Sequence, residues 1–195
     1  TNPPLVITEV PAAYQAGLIR KGFAEYAVYR DYFFEELKPI PQALPSLELL
    51  HPEECAAAAE LTRRCAGRGF EAAEETWLLA WLDGREPENV NTMNNAILAA
   101  RQNGTVVGIL CTATYAHGSG PGPILWVRLL AVHPDLRRRG IGRTLLLQAL
   151  QYGINHGAVR AFLHVDIRNR NAISLYTDVG FVPRGDPEQA DLIYT

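Results

Sequence analysis

The stretch Ile124-Leu125-Trp126-Val127-Arg128-Leu129-Leu130-Ala131-Val132, followed after His133-Pro134-Asp135-Leu136 by Arg137-Arg138-Arg139-Gly140-Ile141-Gly142-Arg143-Thr144, decides the reading of the chain. Ile124 to Val132 is apolar apart from Arg128, which indicates a strand covered on both faces in the middle of a sheet. Beyond it, Ile141, Leu145, Ala149 and Tyr152 recur on one helical face, and Gly157 closes that helix. Glycines beside a helix start let the backbone approach a ligand and leave amides pointing outward, where the helix dipole adds partial positive charge. Arg137, Arg138, Arg139 and Arg143 add further positive charge, so the junction has the chemistry of a diphosphate cradle. For the Gly-x-Gly alone the plain structural reading, a solvated basic turn capped by glycine, is the favoured one.

Working outward, Ala161 to Val165 reads as the next strand, and Ala172, Leu175, Tyr176 and Val179 as a helix at spacings of three and four. Gly180 stands where a left-handed C-terminal cap belongs, with Phe181 folding back on the last turn. Upstream, Ala96 to Ala100 and Val106 to Tyr115 form a hairpin through Asn103-Gly104. Glu71 to Leu82 reads as a helix carrying Trp77 and Trp81, stopped by Gly84, and Gly84 to Asn95 as a loop. Pro52-Glu53-Glu54 opens another helix that runs through Arg64 to Gly67 and Gly69. Leu47 to Leu50 is a short strand, and His117 to Pro123 a Gly/Pro loop. Strands alternating with helices give a mixed α/β domain around one sheet.

Pro39, Pro41 and Pro45 punctuate a linker. It divides residues 1–45 from a main domain over residues 46–195. The N-terminal part reads as a strand (Val6 to Val10), a helix (Ala12 to Arg20) and, after Gly22-Phe23, an aromatic segment to Phe34. That order echoes the later helix, Gly180-Phe181 and closing strand. It therefore reads as an arm, or as the remnant of a preceding repeat, and the missing initiator Met is consistent with a fragment or processed chain.

The composition sets outer bounds. With 195 residues, 48% hydrophobic and 20% charged, whole-chain disorder is excluded. A formal net charge of -3 supplies no global field for nucleic acid. No apolar run reaches membrane-spanning length and no basic-then-apolar leader is present, so the expected location is cytoplasmic, without membrane or nucleic-acid partners. Cys55, Cys65 and Cys111 show no metal-ligand spacing, and His117 and His133 support no metal site either; reduced thiols packed as small apolar residues are expected.

Two familiar phosphate loops fail on these residues. Gly142-Arg143-Thr144 lacks the lysine and the earlier glycine of a P-loop, and Leu145 occupies the third glycine position of the dinucleotide fingerprint. The stretch instead resembles the GNAT superfamily of N-acetyltransferases, whose acetyl-CoA loop reads Q/R-x-x-G-x-G/A after a central strand. Arg137, Gly140 and Gly142 fill that pattern. Asn169, Ala172, Tyr176, Gly180 and Phe181 match the downstream N-x-x-A-x-x-x-Y-x-x-x-G-F signature.

The resemblance implies a GNAT-like fold: a central mixed sheet splayed in a V, with helices on both faces. It implies acetyl-CoA as acyl donor, no metal, and direct transfer to a primary amine of a small molecule or peptide in a ternary complex. The backbones of Leu130 and Val132 would bond the pantetheine amides. Amides of Arg138, Arg139, Gly140, Ile141, Gly142, Arg143 and Thr144 would hold the pyrophosphate, with Arg137 and its neighbours adding side-chain contacts. Asn169 and Tyr176 would face the coenzyme, and Tyr176 would be the general acid.

The strand carries Trp126 and Arg128 where many members place a glutamate base. Glu74, Glu75, His164 and Asp166 are the alternative bases, while Arg128, Trp77 and Trp81 are open to either an acceptor or a packing role. A longer acyl-CoA donor, a degenerate CoA-binding sensor or interaction module, and a homodimer stay open.

Overall fold

A computed structural model describes residues 5–41, 43–85, 91–116 and 122–194. The chain divides into two compact units: Thr1–Phe33, Gly67–Phe70 and His164–Thr195 form one, and Phe34–Ala66 with Glu71–Leu163 the other.

The second unit contains the quoted strand. Its elements are α2 (Cys55–Cys65), α3 (Glu75–Leu82), β3 (Thr92–Gln102), β4 (Thr105–Tyr115), β5 (Ile124–Val132), α4 (Ile141–Asn155) and the first part of β6 (Arg160–Asp166). The strand order is β3-β4-β5-β6; β5 runs antiparallel to β4 and parallel to β6, so the sheet is mixed. The hairpin between β3 and β4 turns on Asn103 (φ 51°) and Gly104 (φ 76°), the positive φ pair that matches the twist of paired strands.

Adjacent residues of β5 show why both sheet faces are covered, since successive side chains leave a strand on opposite faces. The Leu125 side chain meets Gly153 of α4, where an added Cβ would come within 2.9 Å of it. The Trp126 ring packs on Trp81 of α3, with centroids 5.9 Å apart. Gly108 of β4 has the same purpose as Gly153: a Cβ there would meet Ile141 and Leu145 of α4 at 3.0 and 3.1 Å. α4 is thus seated close enough to the sheet for its N-terminus to stand at the end of β5.

The proline segment is laid along this unit. Leu37 N–H donates to the Val159 carbonyl, and buried Gln148 of α4 donates to the carbonyls of Pro45 and Ser46. Leu47 to Leu50 differs from the expected strand: it makes one bridge, Leu49 to Leu98, flanked by Leu50 N–H to Ile97 O and Ala99 N–H to Glu48 O. The helix expected from Glu71 begins at Glu75, because the Thr62 hydroxyl of α2 bonds both the N–H and the C=O of Ala73 and holds that backbone out of a helix. β3 begins at Thr92, inside the expected loop; the rest of that loop at residues 86–90, and His117 in the Gly/Pro loop, lie outside the described residues.

The other unit holds β1 (Leu5–Pro11), α1 (Ala12–Ile19), β2 (Ala24–Phe34), the end of β6, α5 (Arg170–Val179) and β7 (Val182–Tyr194). β7 lies between β1 and β2 and is antiparallel to both. Val10, Ala190 and Leu192 form its core, with Ile7, Leu18, Phe23 and Val28 packed against them. Among the described residues no helix is long and apolar enough to cross a membrane.

Gly153→Ala should destabilise the protein by about 1–3 kcal/mol through overpacking against Leu125. A shift of the denaturant midpoint reads this, and adding Leu125→Ala should make the double variant less destabilised than the sum of the singles.

Candidate functional site

The register of β5 decides where its backbone points. His133 N–H donates to Val107 O, and Ala131 lies opposite Ile109 on β4. Hydrogen-bonding direction alternates along an antiparallel strand, so the amides and carbonyls of Leu130 and Val132 face away from β4. On that far side the ladder of β5 to β6 ends, among the described residues, with the pair Trp126–Phe162. Leu129 lies opposite Cys111 and Val127 opposite Thr112, so Arg128 is one residue extra. Such a bulge bends the strand and strengthens its twist. Among the described residues β5 therefore has an edge without a paired strand from Leu129 to Val132.

That edge is partly furnished by the chain itself. Val132 C=O accepts from Arg137 Nε at 3.2 Å and from the Cys65 thiol at 3.3 Å. Cys65 and Arg137 are thereby tied to the end of β5, contacts that sequence spacing could not reveal. Arg64 lies 3.4 Å from His133 Nε2 beside them, and His133 Nδ1 accepts from Asp135 N–H, shaping the turn that leaves β5.

That turn leads to the N-terminus of α4. Arg138 has φ 63° and Gly140 φ 82°. A left-handed arginine is strained by about 1 kcal/mol or more, and such residues cluster at ligand clamps. The first helical bond is Thr144 N–H to Gly140 O, so the amides of Gly140, Ile141, Gly142 and Arg143 precede the helical ladder. Among the described residues no side chain caps this helix. Arg137, Arg138, Arg139 and Arg143 are exposed around the same turn, while Ile141, Gly142 and Thr144 are half-buried. Leu130, Val132 and residues 137–144 are thus brought together at one end of β5, and the arrangement can accept an extended polar chain ending in an anion.

Asn169 and Tyr176 belong to the other unit. Asn169 is the N-cap of α5, its side-chain oxygen accepting from Ala172 N–H at 3.2 Å. Gly180 (φ 118°) ends the helix, its N–H and that of Phe181 both reaching Tyr176 O, and Phe181 is fully buried. The N-x-x-A…Y…G-F spacing therefore specifies one capped helix. Tyr176 is 8% exposed and its ring lies 6.1 Å from Phe181; burial pushes its phenol up to about 12.

Of the residues weighed as bases, Glu74 and Glu75 are exposed on or beside α3, with Glu74 paired to Arg63 at 3.6 Å. Asp166 is buried at 2% exposure and accepts from Arg168 N–H. His164 Nδ1 lies 2.5 Å from Asp31 Oδ1. Asp31 carried no sequence signal: it sits in an aromatic strand segment, 133 residues from its partner. Trp81 is buried core, stacked on Trp77 at 5.2 Å; the Arg128 guanidinium lies over Trp77 and Trp126 at 5.8 and 5.3 Å. All three cysteines are free thiols, with Cys55 and Cys111 buried. Among the described residues no group of His, Cys, Asp or Glu is disposed to hold a metal ion.

The model of the acetyltransferase (GNAT) family matches residues 26–181. A mycothiol acetyltransferase of Thermobispora bispora is 36% identical over 107 residues, covering 54% of this chain and 36% of the relative, so the chain spans about a third of that protein's length. The crystal structure of a GCN5-related N-acetyltransferase from Sphaerobacter thermophilus superposes with a TM-score of 0.65 at 17% identity, over 97% of this chain and 59% of that one. An aminoglycoside N-acetyltransferase in complex with CoA gives a TM-score of 0.54 at 18% identity, over 76% of this chain and 93% of that one. At such identities the two superpositions speak for the fold.

Asn169→Ala should cost about 1 kcal/mol by loss of the cap, and Asn169→Asp much less, in thermal unfolding. Tyr176 has a folded pKa above the ordinary phenol value near 10. Its contribution to stability is therefore complete below pH ~10 and lost as pH rises toward about 12. Unfolding measured across that window should fall more steeply for wild type than for Tyr176→Phe.

Proposed function

Because the chain belongs to the GNAT acetyltransferase family, we propose that it is an acetyl-CoA-dependent N-acetyltransferase working by direct transfer to a primary amine in a ternary complex. The observation that carries this reading is the end of β5. Outward main-chain groups of Leu130 and Val132 there adjoin a helix N-terminus whose amides have no protein acceptor among the described residues. The CoA complex of the aminoglycoside enzyme of the same fold supports the choice of coenzyme.

In this reading the amides of residues 138–143 hold the pyrophosphate, the Thr144 N–H expected among them being spent on Gly140 C=O, and the arginines add charge-assisted contacts. The outward backbone of Leu130 and Val132 pairs with the pantetheine arm as an added strand would, and one amide polarises the thioester carbonyl. A donor aimed at a developing oxyanion is typically worth ~3–4 kcal/mol in the barrier. With Val132 C=O already taken by Arg137 and Cys65, the Leu130 groups and the Val132 amide carry that pairing.

Tyr176 acts as the donor to the departing sulfur. Its phenol near 12 stays protonated throughout the working range. Full proton transfer to a thiolate of ordinary pKa near 8.5 is uphill by roughly 5 kcal/mol. Tyr176 therefore works chiefly by hydrogen bonding to the developing thiolate, with the proton following as solvent returns. The acceptor is a small-molecule or peptide amine, in keeping with the relatives named for mycothiol and aminoglycosides.

We further read residues 1–45 as an arm or as the tail of a preceding GNAT-like repeat; because β1 and β2 flank β7 in one compact unit, the boundary expected near residue 45 does not coincide with the division between the compact units. Gly22 N–H bonds Ile19 O and Phe23 N–H bonds Leu18 O, as Gly180 bonds Thr177 and Phe181 bonds Tyr176 at the end of α5. Gly22 (φ 95°) matches Gly180, and Leu18 stands where Tyr176 stands.

One observation favours a second reading, a CoA-binding module without turnover: β5 carries Trp126 and Arg128 and no carboxylate. Thiol release from acetyl-CoA across an amine panel separates the two. Transfer is expected, with Tyr176→Phe lowering turnover at least ~10-fold while CoA affinity by calorimetry stays within about twofold. Tight CoA binding with no turnover on any amine supports the module, and equal turnover by the variant removes Tyr176 from the chemistry. Gly140→Ala, placing a Cβ at φ 82°, should weaken CoA binding measurably.

A further inference from the structure

The turn that leaves β5 holds one side chain between two donors. His133 Nδ1 accepts from Asp135 N–H at 3.3 Å and so caps the short turn Pro134–Leu136. On the other side of the ring, Arg64 Nη1 lies 3.4 Å from Nε2. A neutral imidazole accepts on one nitrogen and carries its proton on the other. With Nδ1 accepting, Nε2 bears the hydrogen and faces the guanidinium, a donor against a donor. Among the described residues Nε2–H has no acceptor.

Both donors are tied in place. α2 ends at Cys65, whose thiol donates to Val132 C=O at 3.3 Å, so the preceding residue, Arg64, is carried to the end of β5. Arg64 Nε donates to Glu60 Oε1 at 3.3 Å, one helical turn back, while its Nη1 reaches His133, 69 residues away. Glu60 divides its carboxylate between Arg63 and Arg64, so its charge is met within α2. Arg137 Nε donates to the same Val132 carbonyl at 3.2 Å, which holds a second guanidinium at the residue next to His133. All of these residues lie in one compact unit. Opposed donors, one of them cationic, are satisfied together by an oxygen anion, in short charge-assisted hydrogen bonds.

We propose that Arg64 and the Nε2–H of His133 form a subsite for a phosphate monoester, with Arg137 beside them, and that its occupant is the 3′-phosphate of CoA. The inference rests on the coenzyme reading above. In that reading the pantetheine arm passes Leu130 and Val132, and the pyrophosphate lies on the amides of residues 138–143. His133 directly follows Val132, and Arg137 directly precedes Arg138, so the three side chains flank the pyrophosphate turn. One ribose separates the 3′-phosphate from that pyrophosphate. A phosphate monoester carries about -1.5 to -2 charge at pH 7 and three acceptor oxygens, enough to meet both donors at once. The subsite makes the chain select CoA over its 3′-dephosphorylated form. The β5 edge and the helix amides, which both forms satisfy equally, cannot make that choice.

Calorimetry of the full chain with CoA and with 3′-dephospho-CoA tests it. Wild type should bind CoA roughly 5- to 10-fold more tightly, with the ratio falling as salt rises because the contact is solvent-exposed. Arg64→Gln removes the charge. His133→Asn keeps an oxygen to cap Asp135 N–H and removes Nε2–H. Each variant should bring the ratio to about twofold or less through its effect on CoA alone, with dephospho-CoA affinity and thermal midpoint matching wild type. Equal binding of the two nucleotides by wild type, or variants that weaken both alike, overturns the proposal. If neither nucleotide binds, the coenzyme reading fails instead. The ¹⁵N-labelled chain titrated with adenosine 3′,5′-bisphosphate and with adenosine 5′-monophosphate then decides the subsite by itself. The His133 imidazole resonances should move with the bisphosphate only; equal movement with both, or none with either, overturns the subsite.

Discussion

Everything at the candidate coenzyme site follows from the direction of hydrogen bonds along β5. Ala131 is paired with Ile109 of β4 and the His133 N–H donates to Val107 O, so the main-chain groups of Leu130 and Val132 point the other way. Buried backbone polar groups need partners. With the extra residue at Arg128 and the end of pairing with β6 at Trp126–Phe162, no strand of this unit among the described residues supplies them. Arg137 and Cys65 satisfy one carbonyl, and the remaining groups form an edge to which an extended ligand with amides of its own can add.

The glycines determine how close the anion-binding helix comes to that edge. Gly108 and Gly153 let α4 settle against β4 and β5 at distances where any side chain would collide with Ile141, Leu145 or Leu125. Gly140 then takes a left-handed conformation at the N-cap, and Arg138 shares it at a cost. Packing at the far side of the helix and strain at its start therefore serve one end: unpartnered amides presented beside β5. In the other unit the same economy appears in α5, where Asn169, Gly180 and Phe181 cap and anchor a single short helix that carries Tyr176.

Much of this was legible in the sequence because it is local. The apolar run of β5 marked its bounds, Asn103-Gly104 marked the hairpin, and the Asn169 to Phe181 spacing marked a helix with both its ends. What escaped depended on contacts distant in sequence. The Thr62 hydroxyl displaces the start of α3 by bonding Ala73. The bulge at Arg128 arises from register with β4, and Cys65 reaches Val132 from another helix. Asp31 is the clearest case: nothing in an aromatic strand announces a carboxylate that meets a histidine 133 residues away. Sequence alone likewise could not say that Tyr176 is buried deeply enough to hold its proton near pH 12.

The most direct measurement of the central claim is an amide ¹⁵N–¹H titration of the full chain with CoA. The resonances of Leu130, Val132 and residues 138–143 should move together and saturate with the affinity found by calorimetry. Saturating CoA that leaves those amides unmoved, or that shifts only amides elsewhere in the chain, would contradict the account.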